Sequence, residues 1–163
     1  VKTLLIVYHS MTGGTRQMVD AAAGGAAEEA GVLTRVLHAA AAGAQDLLAA
    51  DGYIFATAEN LAAMSGMMKD FFDRTYYEAL ARLNGRPYAA MICAGSDGEG
   101  AARQIARIAA GWRLRDVAVP VVICTRAQTP AEILAPKILA AGDLARCREL
   151  GAAMAAGLEA GVF

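Results

Sequence analysis

The sequence predicts an α/β domain built on a doubly wound, five-stranded parallel sheet with helices on both faces. Short β-branched apolar runs alternate with longer Ala-rich stretches of helical period. The stretches between the runs are long enough for the crossover connections that parallel strands require, and such crossovers are right-handed. A chain of 163 residues with 56% hydrophobic content can bury both faces of such a sheet in one domain spanning residues 1–163.

The first strand is Thr3 to Tyr8, an unbroken apolar run after the initial Thr. A helix follows from about Thr15 to Ala30, where Gly31 stops it. Leu33 to Leu37 forms the second strand, and a biased Ala-Gly segment with a short helical turn near Ala44 to Ala49 leads into the third, Tyr53 to Ala56. The next helix runs from about Ser65 to Leu83 and ends at the Asn84-Gly85 turn signal. Tyr88 to Ala94 is the fourth strand, Glu99 to Trp112 a helix, and Val117 to Cys124 the fifth strand. The closing helix is expected from Pro136 to about Leu158, with Pro136 tolerated in its first turn.

Charge and cysteine usage narrow the partners. The formal net charge is −1, with 15 basic and 16 acidic residues dispersed along the chain. That balance gives no footprint for nucleic acid or an anionic membrane, so a small-molecule partner is expected. No apolar run reaches the roughly 18 residues of a membrane span. The start, Val-Lys-Thr, lacks the layout of a secretory signal, so a cytoplasmic setting is expected. Cys93, Cys124 and Cys147 are odd in number and form no C-x-x-C pair, which indicates neither a disulfide framework nor a metal site. Cys93 and Cys124 read as small core hydrophobes.

In open parallel sheets, ligands bind beyond the carboxyl ends of the strands where the strand order reverses. The loops that matter therefore follow the first, third and fourth strands. The first is His9-Ser10-Met11-Thr12-Gly13-Gly14-Thr15-Arg16. Gly13 and Gly14 free the backbone, Ser10, Thr12 and Thr15 supply hydroxyls, and the helix that follows offers its free N–H groups and positive dipole end to an anion. The chemistry suits a terminal phosphate. The same residues can also be read as a helix cap and tight turn, and His9, closing the strand, as a structural residue.

Ser10-x-Thr12-Gly13-x-Thr15 resembles the phosphate loop of the flavodoxin family, and matches neither the dinucleotide glycine fingerprint nor the Walker-type P-loop. The resemblance extends over the strand-helix order of essentially the whole chain and implies a flavodoxin-like sheet of order 2-1-3-4-5 with FMN as cofactor. Met64-Ser65-Gly66-Met67-Met68-Lys69-Asp70-Phe71-Phe72-Asp73-Arg74 is similar to a stretch of the flavodoxin-like NAD(P)H oxidoreductases. That resemblance implies that Glu59, Asn60, Leu61, Met64 and Ser65 lie along the flavin ring, with Ser65 also a helix N-cap. After the fourth strand, Gly95, Ser96, Asp97 and Gly98 form a glycine-rich loop that allows close approach to a flat ligand, while Asp97 can equally cap the next helix.

Where the family often has Thr-Pro and an aromatic residue stacked on the ring, this chain has Thr57-Ala58 and no Trp or Tyr in either ring-side loop. The resemblance implies an FMN oxidoreductase that takes electrons from NADH or NADPH and passes them to a quinone, a flavin or another small acceptor. FMN does the chemistry, and no catalytic side chain is called for. Two alternatives are a flavodoxin-type electron carrier and a flavin-free binding module; carriers are typically strongly acidic around the flavin, unlike a chain of charge −1. Arg103 and Arg107, spaced i, i+4, could meet a nicotinamide phosphate or form a solvated face. Wide apolar helix faces such as Leu139 to Leu158 point to a homodimer or homotetramer.

Overall fold

Strand β1 (Lys2–Tyr8) sets the layering. Its side chains alternate, so Leu4, Ile6 and Tyr8 enter one buried layer while Leu5 and Val7 enter the other. The computed structural model describes residues 1–163. After β1 come α1 (Gly14–Ala26), β2 (Val32–His38), α2 (Ala44–Ala49), β3 (Gly52–Asn60), β4 (Ala63–Met64) and α3 (Gly66–Ala79). The chain continues through β5 (Pro87–Ala94), α4 (Glu99–Gly111), β6 (Arg115–Asp116), β7 (Val121–Cys124), α5 (Pro130–Leu134) and α6 (Ala141–Ala160).

The strands lie in the order β2-β1-β3-β5, with β6 and β7 both pairing along β5; every pairing is parallel except β4 on β3. Since β6 and β7 together fill the place of the fifth strand, this is the expected 2-1-3-4-5 order. The two cores hold 23 and 21 buried residues, so neither face of the sheet is left to solvent. One core gathers Phe55, Phe71, Phe72 and Trp112 beneath α3 and α4. Trp112 is fully buried, donates from its indole N–H to the Tyr76 carbonyl at 3.0 Å and stacks on the Tyr76 ring. Tyr76 is thus packed within its own chain.

On the opposite face α1 and α6 approach closely because small residues line their contact. A Cβ at Gly25 would lie 2.0 Å from the Arg148 carbonyl oxygen, and one at Gly151 would lie 1.9 Å from that of Ala22. The Ala- and Gly-rich composition of these helices is therefore a packing requirement.

Several boundaries differ from expectation for physical reasons. The third strand runs four residues beyond Ala56, to Asn60, because it turns back on itself as a hairpin with β4. Helix α1 ends at Ala26 and α3 at Ala79, short of the expected Ala30 and Leu83. The fifth strand is not continuous over Val117 to Cys124: residues between Asp116 and Val121 leave the ladder, and Pro120 among them has no N–H to donate. The closing helix begins at Ala141, not Pro136. Pro136 holds Ala135 extended (φ −72°, ψ 149°), and the next residues are hydrogen-bonded to the first loop. No helix is long and apolar enough to cross a membrane.

Candidate functional site

An open cleft of about 420 Å³, solvent at its mouth included, lies at the carboxyl ends of β1, β3, β5 and β7. Met11, Thr12, Gly14 and Thr15 enter it from the loop after β1; Ala58, Glu59 and Asn60 from the end of β3; and Cys93, Ala94 and Gly95 from β5. Thr125, Ala127, Ile133 and Lys137 complete the wall. Parts of the three loops chosen from the sequence therefore converge. None of these residues is aromatic.

The first loop is preformed. Gly13 takes φ +94°, a left-handed conformation that glycine adopts without a Cβ clash. Ser10 Oγ accepts the backbone N–H groups of Gly13 and Arg16, each at 3.2 Å, which draws the loop around the start of α1. Thr15 is 1% exposed, lines the cleft, and its hydroxyl has no hydrogen-bond partner. An unsatisfied buried hydroxyl costs about 1–3 kcal/mol. This orphaned donor, two glycines, a helix N-terminus and a lysine form a donor set that fits the phosphate group of FMN.

Lys137 was not legible as part of this site. Its ammonium donates to the carbonyls of Glu132, Ile133 and Ala135 at 2.6–2.9 Å and lies 3.3 Å from Thr12 Oγ1. Gln17 fixes the same segment, donating to the carbonyls of Gly13 and Lys137 and accepting the N–H of Leu139. The Lys137 N–H donates to the Thr12 carbonyl at 2.9 Å. Beside them Cys93 is buried, and burial pushes its thiol pKa up to about 11, against the opposing pull of the Lys137 charge.

The second loop is a hairpin. Glu59 pairs with Met64 and Asn60 with Ala63, leaving Leu61 and Ala62 as its two-residue tip, with φ of +52° and +63°. Tight turns with both central residues left-handed favour Asn and Gly, and each non-glycine residue there costs about 1 kcal/mol. Leu61 is fully exposed at the tip. The Glu59 carboxylate is already engaged: it accepts the N–H groups of Gly98 (2.8 Å) and Ala101 (3.0 Å), capping α4 from across the cleft. Glu59 lines the cleft, as expected of a ring-side residue, and its side chain also ties the second loop to the third.

Met64 and Ser65, also expected along the ring, are buried. Met64 belongs to the core with Met68, and its N–H is held by Gln104. Ser65 is the N-cap of α3 as expected, accepting from the Met68 N–H at 3.3 Å. Its hydroxyl also shares a 2.8 Å hydrogen bond with His9 Nδ1 and lies 3.2 Å from Thr57 Oγ1. Burial, with the neighbouring His38, lowers the His9 pKa below 6.5 and keeps the ring neutral. His9 thus links the first loop to the second.

In the third loop Gly95 lines the cleft, while Ser96 and Asp97 are exposed. Gly98, with φ +88°, is the backbone N-cap of α4; Asp97 only accepts the Glu99 N–H at 3.3 Å. Arg103 and Arg107 are exposed and form no ion pair.

The sequence model of a family described as NADPH-dependent FMN reductase matches residues 35–128, more than half of the chain. The match contains the second and third loops and begins after the first. A flavodoxin of Aquifex aeolicus is 31% identical over 97 residues, which are 60% of this chain and 52% of that protein, so the match spans about half the length of this relative. Among solved structures, a flavodoxin from the domain Archaea superposes with a TM-score of 0.76 at 21% identity, covering 96% of this chain and 99% of that one. The flavodoxin, WrbA-like protein from Agrobacterium tumefaciens superposes with a TM-score of 0.72 at 19% identity, over 98% and 99% of the two chains. These likenesses make the sheet and its helices flavodoxin-like.

Proposed function

The chain belongs to the family of NADPH-dependent FMN reductases, and from that premise we propose that it is an FMN-dependent oxidoreductase. It takes electrons from NADH or NADPH and passes them to a quinone, a flavin or another small acceptor. The observation that carries this reading is the buried, unpartnered hydroxyl of Thr15, a residue that lines the cleft in the first turn of α1. A phosphate oxygen would satisfy it.

When bound, FMN supplies the electron-transfer chemistry, and the protein's part is binding, orientation and access. Thr12, Gly13, Gly14 and Thr15 hold the phosphate end. Ser10 keeps their loop closed by accepting from Gly13 and Arg16. Ala58, Asn60 and Gly95 offer backbone at the ring end. Glu59 supports that end by holding the second loop against the start of α4. With no aromatic wall, the cleft leaves ring faces open to a second flat molecule, which suits turnover with small substrates.

The 31% identity to a flavodoxin favours a second reading, an electron carrier that docks proteins and has no substrate of its own. One experiment separates the two. The purified protein is loaded with FMN, desalted, and treated anaerobically with NADH or NADPH while its flavin absorbance is followed. Bleaching by a nicotinamide supports the reductase, and bleaching by dithionite alone supports the carrier. Loss of all flavin on desalting, with no saturable FMN binding in titration, sinks both.

A further inference from the structure

The α5–α6 connection brings a charge to the first loop from far along the chain. Lys137 Nζ and Thr12 Oγ1 are 125 positions apart in sequence and 3.3 Å apart in space. Backbone and side-chain bonds fix this approach: the Lys137 N–H to the Thr12 carbonyl, and Gln17 bridging the carbonyls of Gly13 and Lys137. The ammonium also caps the last carbonyls of α5, which could by itself account for a lysine here. Two further facts point to a ligand. Thr15, in the same cleft wall, is 1% exposed with an unpartnered hydroxyl. Lys137 has no carboxylate partner, so its charge is compensated only by carbonyl dipoles.

Building on the FMN reading above, we propose that Lys137 is a direct ligand of the flavin's phosphate and the residue that makes this cleft select the phosphorylated flavin over riboflavin. Ser10 to Thr15 supply neutral donors and Arg16 is engaged by Asp20 and Tyr8, whereas a phosphate monoester carries close to two negative charges near neutral pH. Lys137 supplies the compensating charge from outside the loop. On binding, the ammonium exchanges one α5 carbonyl for a phosphate oxygen, trading a dipole contact for a charge-assisted hydrogen bond.

Wild type, Lys137→Gln and Lys137→Met are titrated with FMN and with riboflavin, followed by quenching of flavin fluorescence. Gln keeps a donor for the α5 carbonyls while removing the charge, so it separates the cap from the ligand. FMN affinity should fall by about ten- to a hundredfold in Lys137→Gln, with riboflavin affinity changed less than about twofold. Raising salt should weaken FMN binding to wild type more steeply than to the variant. Equal losses for both flavins, or an unchanged FMN affinity, would overturn the proposal.

A parallel titration with inorganic phosphate, read by the amide NMR shifts of Gly13 and Gly14, isolates the charge from the flavin reading. If wild type binds neither flavin, that reading fails and the phosphate titration decides alone. Shifts that weaken in Lys137→Gln uphold Lys137 as a phosphate ligand. Absent or unaltered shifts refute it.

Discussion

Gly14 lies against Cys93 so closely that a Cβ on Gly14 would stand 2.5 Å from the Cys93 sulfur. The first turn of α1 and the end of β5 are thus held in contact at the phosphate end of the cleft. Gly14→Ala should overpack this point and cost about 1–3 kcal/mol in unfolding free energy. Cys93→Ala removes the obstructing sulfur, so the double variant should recover most of the loss. A denaturant-unfolding double-mutant cycle reads the coupling, and additive effects would place the strain elsewhere.

Thr15 should behave oppositely in stability and in binding. Thr15→Val keeps the shape and removes a buried hydroxyl without a partner, so the flavin-free protein should gain about 0.5–1 kcal/mol. FMN affinity should drop by about tenfold, as expected for the loss of one hydrogen bond to a charged group. Calorimetric melting and flavin titration check the two halves; a destabilised apoprotein would show that the hydroxyl has a partner in solution.

Glu59 is predicted to act through α4. Glu59→Ala strips two N–H groups at the start of that helix of their acceptor and removes a negative charge from its positive end. The expected cost is about 1–3 kcal/mol, with Glu59→Gln losing less. Hydrogen exchange should quicken at Gly98 and Ala101 first. Unchanged protection at those two amides would mean that the carboxylate is not their cap.

His9 gives a pH dependence of fixed sign. Its folded pKa lies below the 6.5 of an ordinary imidazole, first because of burial and second because of His38. The unfolded chain therefore takes up the proton more readily, and the stability His9 contributes is present above pH 6.5 and lost as pH falls through the lowered folded value. Melting temperatures of wild type should fall between about pH 7 and about pH 5 more steeply than those of His9→Asn. Parallel curves would assign the acid sensitivity to other groups.

The sheet was legible because its strands are buried on both faces and read as short apolar runs. β5 begins one residue before the expected Tyr88 and ends at the expected Ala94. The first loop was legible because its hydroxyls and glycines are contiguous. The hairpin tip was not, since Leu61-Ala62 carries none of the Asn or Gly that marks a left-handed turn; the surrounding contacts impose it. The family resemblance pointed to Glu59 as a ring-side residue, and only the fold shows that its carboxylate also accepts the N–H groups of Gly98 and Ala101. Lys137 and Gln17 had no local signal, since their partnership spans 120 positions. Pro136 even pointed the other way, as a helix start.

The interrupted closing strand has a bearing on association. An exposed sheet edge normally offers an uninterrupted row of N–H and C=O groups on which another chain can extend the ladder. Here that edge is divided into two residues of β6 and four of β7, separated by a segment that carries Pro120 and an outward Val119, 86% exposed. A strand approaching from solvent finds no run long enough to template on. The break that blurs the fifth strand makes this edge a poor template for edge-to-edge pairing and leaves the continuous β2, at the opposite end of the sheet, as the edge that another strand could extend.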